Sequence, residues 1–263
     1  MKIGIQVLAY NCADTFEKLI KPWVELKNKY DIKIWVGSGQ FKLYNEMGCE
    51  NLNGPTIHLL DRLLNDGKID YIFQPDPDNL LGDFETRDKC IPWMKENDID
   101  LMIQVDADEF YEDQAEGYIE WIINNQGYDC YNTLLKGVTP DKDVFKNWER
   151  FSAGWIKRNG GINHYYFDCH WSFAGPYNPN CDKNGQNIEY RWVRTITVPE
   201  SICNPIHYSW NNDLSTTGPS HIKDKIKYQQ ILYGGEDFCE FKWDENTNKL
   251  VRKSGTNNID VFQ

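Results

Sequence analysis

The first 125 residues alternate between strand-like and helix-like patterns, which restricts the folds open to this chain. Ile3–Ala9 is a nearly continuous apolar stretch, typical of a strand buried on both faces. Asp14–Tyr30 follows with apolar residues at helical spacing. The same succession repeats three more times, with strands predicted at Ile32–Val36, at Ile69–Phe73 and over the run that ends at Val105. Strand–helix alternation of this kind is typical of an α/β protein with a doubly wound sheet.

The pattern changes from residue 126 onward. Tyr128–Leu135 and Ile188–Val198 are predicted as strands, and the Gly-, Asn- and aromatic-rich segment between them is typical of loops and hairpins. Ser220–Tyr233 is predicted as a last helix, and the tail from Asp244 is polar. Because the sequence contains neither a linker nor an internal repeat, we expect one continuous domain.

Two helix starts have the spacing of a capping box, Asp14 with Glu17 and Asp113 with Glu116. Pro22 falls inside the first helical pattern, so a kink or a restart is expected there. Pro92 interrupts the helical composition of Thr86–Glu96 in the same way.

Composition excludes several classes of partner. The chain has 28 basic and 40 acidic residues, and a net charge of −12 disfavours nucleic acid and anionic membrane surfaces. An anionic nucleotide would need a local cation.

Eight widely spaced cysteines without a Cys-x-x-Cys motif indicate free thiols in a reducing compartment. The opening residues make a poor signal peptide, and no apolar run approaches the ~20 residues that span a bilayer. We therefore expect a soluble, cytoplasmic protein without a membrane span.

The run Leu101–Val105 ends abruptly in acidic residues, Asp106, Asp108 and Glu109. On an extended strand Asp106 and Asp108 would point to the same side, where two carboxylates repel each other unless a cation lies between them. Oxygen ligands at the carboxyl edge of an α/β sheet suit Mg²⁺ or Mn²⁺. The alternative is a solvated turn or a helix cap, which is the commoner role of an isolated Asp-x-Asp.

The order of these motifs resembles that of the GT-A glycosyltransferases, in particular the family-2-like group. In that group the opening strand ends in a Tyr-Asn loop, here Ala9-Tyr10-Asn11, and a central strand ends in Asp-x-Asp, here Asp106-Ala107-Asp108-Glu109-Phe110. The resemblance covers residues 3–125 and continues more loosely to about 212. It implies a GT-A, Rossmann-like domain with a mixed, mostly parallel sheet flanked by helices. Residues 1–125 would form the nucleotide-sugar-binding half, and residues 126–263 the acceptor-binding half with the C-terminal helix and tail.

The resemblance also implies a metal site. Asp106 would lie near the ribose and the metal, Asp108 would ligate Mn²⁺ or Mg²⁺, and a later histidine would complete the set. His207 is the candidate, because it follows an apolar, strand-like stretch and could reach back across the sheet edge. His164 and His170 are weaker candidates, and an ordinary hydrogen-bonded histidine is the alternative for each.

For the nucleotide, the resemblance places Tyr10 and Asn11 beside the base and ribose, and Arg87 at the base or phosphates. Arg87 could instead pair with acidic residues on its own helix, namely Asp83, Glu85 or Asp88. The chain departs from the family after its second strand, where Gly37-Ser38-Gly39-Gln40 replaces the usual acidic residues. Ser38 could offer the base only a hydroxyl contact.

An inverting transferase needs a general base within hydrogen-bond reach of the acceptor hydroxyl. Asp168 is the candidate because it lies among aromatic residues, whose surroundings could raise the pKa of its carboxyl. Glu149 is the second candidate, and both could be structural. Trp171 and Trp210 could stack on the donor or acceptor sugar, or could simply pack in the core.

The sequence thus predicts a metal-dependent glycosyltransferase that moves a sugar from a UDP- or GDP-type donor to a glycan or another hydroxyl acceptor. A sugar nucleotidyltransferase would need a Gly-rich basic loop after the first strand, and the segment Asn11-Cys12-Ala13-Asp14 contains neither glycine nor a basic residue. A non-catalytic carbohydrate-binding or scaffold protein on a degenerate GT-A fold remains the other alternative.

Overall fold

The computed structural model describes residues 1–49, 51, 53–138, 144–157, 162–166, 170–173, 194–207, 223–224, 226–228, 230–231, 241–244, 246 and 249–252. Strands and helices alternate at its beginning, as the sequence predicts. The first strands are β1 (Lys2–Ala9), β2 (Asp31–Ser38), β3 (Tyr71–Phe73) and β4 (Leu101–Asp106). The helices between and after them are α1 (Ala13–Leu26), α2 (Lys42–Glu46), α3 (Gly54–Asn65), α4 (Asp83–Asp88), α5 (Cys90–Glu96) and α6 (Ala115–Asn124).

The later part of the chain is mainly strand. Its strands are β5 (Glu109–Phe110), β6 (Cys130–Val138), β7 (Val144–Trp155), β8 (Ile162–Tyr166), β9 (His170–Phe173), β10 (Thr195–Thr197), β11 (Ile206–His207), β12 (Phe241–Asp244) and β13 (Lys249–Arg252). Two antiparallel hairpins, β8–β9 and β12–β13, lie outside the central sheet. Residues 223–224, 226–228 and 230–231 are helical, within the predicted last helix. The predicted polar tail, from Asp244 onward, contains the last residue of β12 and the whole of β13.

The central sheet has the strand order β3-β2-β1-β4-β7-β6-β11-β5, with β10 also paired to β6. Strands β1 to β4 are parallel, and the register places Ile5 between Ile34 and Ile103. Strand β7 is antiparallel to both β4 and β6, while β10 and β11 run parallel to β6. The α/β class and the mixed, mostly parallel sheet flanked by helices are therefore confirmed. This is the architecture that the resemblance to the GT-A group implied.

Helices cover both faces of the parallel half because its strands are apolar on both faces. On one face Ile3, Ile5 and Val7 belong to the same buried cluster as the apolar residues of α1, α3 and α6. On the other face Leu8 and Met102 belong to a cluster with residues of α5. The two clusters hold the carboxyl ends of β1, β2 and β4 side by side at one edge.

The connection between β4 and β5 forces the sheet to curl. β5 lies four positions beyond β4 in the strand order, which would place it about 19 Å away in a flat sheet. The chain joins Asp106 to Glu109 through the turn residues Ala107 and Asp108, and three peptide units reach only about 11 Å. Therefore the far edge of the sheet, β11 with β5, must bend back toward the carboxyl end of β4.

Several local predictions are wrong, for identifiable reasons. Helix α1 runs through Pro22 as one element, so it does not restart there, and the kink stays a prediction. Its N-cap, Cys12, makes no side-chain cap bond, so the Asp14–Glu17 capping box does not form. A 3₁₀ turn at Glu112–Gln114 precedes α6, which displaces the second predicted capping box. The predicted helix at Thr86–Glu96 is divided into α4 and α5, and Pro92 lies in the first turn of α5, where a missing N–H costs little.

The five cysteines in the described residues, at positions 12, 49, 90, 130 and 203, are free thiols, as predicted for them. Within the described part of the chain, every helix is too short or too polar to cross a bilayer.

Gly37 permits the close approach of α4 to the end of β2. A Cβ atom at this position would lie 2.8 Å from the ring of Trp35 and 2.9 Å from the methyl group of Thr86. Both neighbours are buried, and neither a tryptophan ring nor a β-branched side chain can yield easily. Gly37 therefore sets the position of α4, which carries Arg87.

We expect Gly37→Ala to lower the free energy of unfolding by about 1–3 kcal/mol, because overpacking forces α4 away from the sheet. Urea unfolding followed by circular dichroism measures the change. Gly127→Ala is the matched control, since a Cβ there meets no atom within 4 Å. Equal stability of the two variants would contradict the role given to Gly37.

Candidate functional site

The loop after β1 is held by the beginning of α3. The backbone N–H of Asn11 donates to the side-chain oxygen of Asn53 at 2.9 Å, and that of Cys12 donates to the Thr56 hydroxyl at 3.0 Å. Asn11 has a φ of 51°, a left-handed conformation that asparagine adopts more readily than most residues. Its side-chain Nδ2 is buried without a hydrogen-bond partner among the described residues. The loop is thus ordered by contacts from α3.

Tyr10 is half-buried at the same edge. Its ring stacks on Tyr44 at a centroid distance of 5.3 Å and tilts against Phe41 at 5.8 Å. Tyr44 in turn stacks on Tyr228 at 4.6 Å. The predicted base-binding tyrosine therefore belongs to an aromatic stack that reaches the C-terminal helix.

Ser38 is the last residue of β2 and bonds to Asn53. The residue is fully buried, and its hydroxyl accepts a hydrogen bond from Asn53 Nδ2 at 3.0 Å. Asn53 itself is buried and bonded to Asn11, so Ser38 supports the β1 loop through Asn53. Its contact with a nucleotide base stays a prediction, and the base would have to displace Asn53 to reach it.

Asp106, the last residue of β4, lies between two guanidinium groups. Arg87 Nη2 is 2.6 Å from Asp106 Oδ1, and Arg150 Nη1 is 3.0 Å from Asp106 Oδ2. The side chains of Arg87 and Arg150 are only 3% and 8% exposed. Arg87 also pairs with Asp83 at 3.1 Å, which is one of the alternatives that the sequence left open.

Glu109 completes this buried ionic network. Its carboxylate is fully buried, pairs with Arg150 and accepts a hydrogen bond from the backbone N–H of Asp106 at 3.1 Å. Burial alone would raise the pKa of Asp106, but the guanidinium groups of Arg150 and Arg87 hold it well below its usual value. Asp106 is therefore ionised and fixed by partners from three different elements.

Asp108 lies in the turn after β4 and has different surroundings. Its side chain is 30% exposed, and its Oδ1 is 3.4 Å from Nε2 of His207 on β11. The two residues are 99 positions apart in sequence. The curl of the sheet brings them together, because β11 pairs with β5 and His207 lies opposite Glu109 in that register.

The geometric reason given for the Asp-x-Asp pair is wrong in one respect. The prediction took both aspartates to lie on an extended strand, whereas β4 ends at Asp106 and the turn begins at Ala107. The two carboxylates consequently have separate partners, arginines for Asp106 and a histidine for Asp108. Both stay at the carboxyl edge of β4.

Asp108 is also close to the β1 loop. Burial is the main cause that raises the pKa of Cys12 to about 12, and the negative charge of Asp108 contributes to the rise. The turn carrying Asp108 is therefore near enough to the loop carrying Cys12 for its charge to act on the thiol. In the described residues, no third His, Cys, Asp or Glu joins Asp108 and His207 in a metal-binding group.

Of the remaining predicted site residues, some lie outside the described part of the chain. Asp168 and Trp210 lie outside the described residues, and so does the side chain of Trp171, whose backbone belongs to β9. Glu149 is exposed on β7 and bonds to the Thr197 hydroxyl. Since neighbouring residues of a strand point to opposite faces, Glu149 faces away from the cluster that its neighbour Arg150 joins.

Sequence reasoning missed Arg150, Asn53 and Thr56. Arg150 lies on β7, a strand that was not predicted, and its partner Asp106 is 44 residues away. Asn53 and Thr56 are short polar residues near a helix start, where their usual role is local. In the ionic network, Glu109 is the residue whose burial the sequence could have indicated, because it directly precedes the apolar pair Phe110 and Tyr111.

No known family model matches this sequence, and no curated protein matches it. Solved structures give distant matches. One is residues 1–349 of S. aureus TarS in complex with UDP-GlcNAc, with 13% identity, a TM-score of 0.48, and coverage of 88% of this chain and 65% of that one. Another is the mannosyltransferase PcManGT from Pyrobaculum calidifontis in complex with GDP-Man and Mn²⁺, with 12% identity, a TM-score of 0.46, and coverage of 88% and 62%. This chain spans less than two thirds of the length of either structure.

Replacing Asp106 tests the ionic network. We expect Asp106→Asn to lower the free energy of unfolding by about 3 kcal/mol, because it leaves two buried guanidinium groups with less countercharge. Asp61→Asn, on the exposed face of α3, is the matched control and should change stability by less than about 0.5 kcal/mol. Urea unfolding at pH 7 measures both, and similar values for the two variants would contradict the network.

The same variant should alter acid stability. The folded-state pKa of Asp106 is lowered, so the unfolded state binds more protons as the pH falls below about 4, and the stability that Asp106 contributes is lost there. Asp106→Asn lacks this contribution. Its stability should consequently fall less steeply than that of the wild type below about pH 4. Equal slopes in acid titrations would argue that Asp106 is not held ionised by the arginines.

Proposed function

We propose that this chain is a metal-dependent glycosyltransferase that uses a nucleoside-diphosphate sugar. The observation that carries the proposal is the approach of His207 Nε2 to within 3.4 Å of Asp108 Oδ1, beside the carboxyl edge of the parallel strands. Open α/β sheets bind their ligands outside the carboxyl ends of the strands. The sequence-based hypothesis required these two distant residues to meet at this edge.

Asp108 and His207 are suited to hold Mn²⁺ or Mg²⁺. Two ligands about 2.1 Å from an ion and at right angles are about 3.0 Å apart, close to the separation of these two atoms. A carboxylate oxygen with an imidazole nitrogen is a donor set that Mn²⁺ accepts. The bound ion would act as a Lewis acid that neutralises the diphosphate leaving group.

The β1 loop would receive the nucleoside. Tyr10, whose ring stacks on Tyr44, and Asn11, with its side-chain amide, would lie beside the base and ribose. Arg87 is buried against Asp106 and Asp83, so its part in binding a UDP- or GDP-type donor would be exerted through Asp106. Asp106 would then stand near the ribose with its carboxylate held in one orientation.

For the acceptor side, we keep the sequence-based assignments as part of the proposal. Asp168 would act as the general base toward the acceptor hydroxyl if the reaction inverts the anomeric centre. Trp171 and Trp210 would stack on the sugar rings of the donor or of a glycan acceptor. Glu149 is the weaker candidate for the base, because its side chain points away from the Asp106 cluster.

A non-catalytic carbohydrate-binding or scaffold protein is the second candidate. The observation in its favour is that both carboxylate oxygens of Asp106 are already paired with arginines, which is typical of a structural residue. Asp108 and His207 favour the transferase, because they are partly exposed and contact each other.

Metal-dependent nucleotide binding separates these candidates. With MnCl₂ and UDP, or MnCl₂ and GDP, we expect one nucleotide to stabilise the wild-type protein by about 2.7 kcal/mol at a hundredfold excess over its dissociation constant. A thermal-shift assay measures this as a rise in Tm that EDTA removes. A scaffold would show no such rise with either nucleotide.

In the same assay Asp108→Asn and His207→Ala should lose the metal-dependent rise while keeping their folded structure. Asp61→Asn and His58→Ala, both at exposed positions of α3, are the matched controls and should retain it. Asp108→Asn with a wild-type response to Mn²⁺ and nucleotide would rule out the proposed site.

A further inference from the structure

Asp106 lies between the guanidinium groups of two buried arginines, which disfavours a divalent cation at its carboxylate. Each of its carboxylate oxygens accepts a hydrogen bond from a different buried arginine, Oδ1 from Arg87 and Oδ2 from Arg150. A divalent cation at either oxygen would have to share that oxygen with a guanidinium group or displace the group, and it would lie close to positive charge in both cases. Like charges at such distances repel strongly where water is excluded.

We infer that Arg150 is a positioning residue which, together with Arg87, keeps Asp106 out of the coordination of the metal, so that Asp108 and His207 are the protein ligands. This inference rests on the proposed function. It departs from the sequence-based prediction that gave Asp106 to the metal as well as to the ribose. Arg150 acts through Asp106 and Glu109 and does not itself touch the ion.

The contacts of Arg150 explain why it can fix this geometry. Its Nη1 contacts both Asp106 Oδ2 and the buried carboxylate of Glu109, so one nitrogen joins the end of β4 to β5. Glu109 also binds the backbone N–H of Asp106, which closes the turn between them. This turn consists of Ala107 and Asp108, and it is closed by an acceptor oxygen at position 109 that a glutamine would also supply.

Charge balance supports the same division of roles. Arg87 and Arg150 carry two positive charges, and Asp83, Asp106 and Glu109 carry three negative ones, all within this network. The network therefore keeps one unbalanced negative charge, and both carboxylate oxygens of Asp106 lie against its positive groups. The side chain of Asp108 is 30% exposed and lies beside His207.

The test uses two charge-neutral double variants, here called the cage variants, each of which removes the arginine bound to one carboxylate oxygen of Asp106. Arg150→Met with Glu109→Gln frees Oδ2, and Arg87→Met with Asp83→Asn frees Oδ1. Lys29→Met with Glu116→Gln removes an exposed ion pair on the surface and is the matched control. All three variants keep the net charge of −12. Mn²⁺ affinity without nucleotide is read from the electron paramagnetic resonance signal of free Mn²⁺.

We expect wild-type protein and the surface control to bind Mn²⁺ equally weakly, and each cage variant to bind it about three- to tenfold more tightly, because a further carboxylate oxygen becomes available. Circular dichroism establishes that each variant is folded. If one cage variant fails to fold, the other decides. If both fail to fold, or if both fold with wild-type or lower Mn²⁺ affinity, the inference is overturned.

A second titration keeps the inference and the proposed function apart. Adding UDP or GDP should tighten Mn²⁺ binding by the wild-type protein at least tenfold. Tightening in the wild type without any gain in the cage variants overturns the role of Arg150 and leaves the transferase proposal standing. Absence of tightening with both nucleotides defeats the transferase proposal, whatever the cage variants do.

Discussion

The connection of only two residues between β4 and β5 is the constraint on which the rest of the site depends. The chain cannot cross a flat sheet from β4 to its far edge in so few residues, so the sheet must curl and bring that edge back toward the end of β4. The curl carries β11, and with it His207, to the turn that holds Asp108. The meeting of these two residues is thus a property of sheet topology, and no local preference of either residue would produce it.

Within this frame the two aspartates of one short motif have opposite environments. Asp106 belongs to the strand and is neutralised by buried arginines from α4 and β7. Asp108 belongs to the turn and keeps partial contact with solvent. A buried carboxylate is tolerated only when it is paired and hydrogen-bonded, whereas a half-exposed one can exchange partners. Because β4 ends between the two residues, the carboxylate of Asp106 is buried among arginines and that of Asp108 is partly exposed.

The sequence was sufficient for the parts that depend on local pattern. The four parallel strands and the helices around them follow from apolar periodicity, and the strand ends place Tyr10, Ser38 and Asp106 at one edge. It was insufficient where partners come from distant segments. Arg150 lies on a long strand whose mixed composition concealed its pairing, and the hydrogen bond from Asn53 to Ser38 joins two segments that no local pattern connects. The break between α4 and α5 was also missed, because Pro92 reads as an interruption until the second helix is seen to begin at Cys90.

The long-range contacts of the site also bear on how the chain acquires it. Asp106 meets Arg150 across 44 residues, and Asp108 meets His207 across 99, while the parallel half can collapse from its own strands and helices. Contacts of high sequence separation form late and slowly, because closing long loops costs entropy before any pairing rewards it. During synthesis the parallel half of the sheet would therefore be built before Asp108 and His207 can meet, and the carboxyl edge of β4 would acquire its histidine neighbour only after the chain has been extended to residue 207.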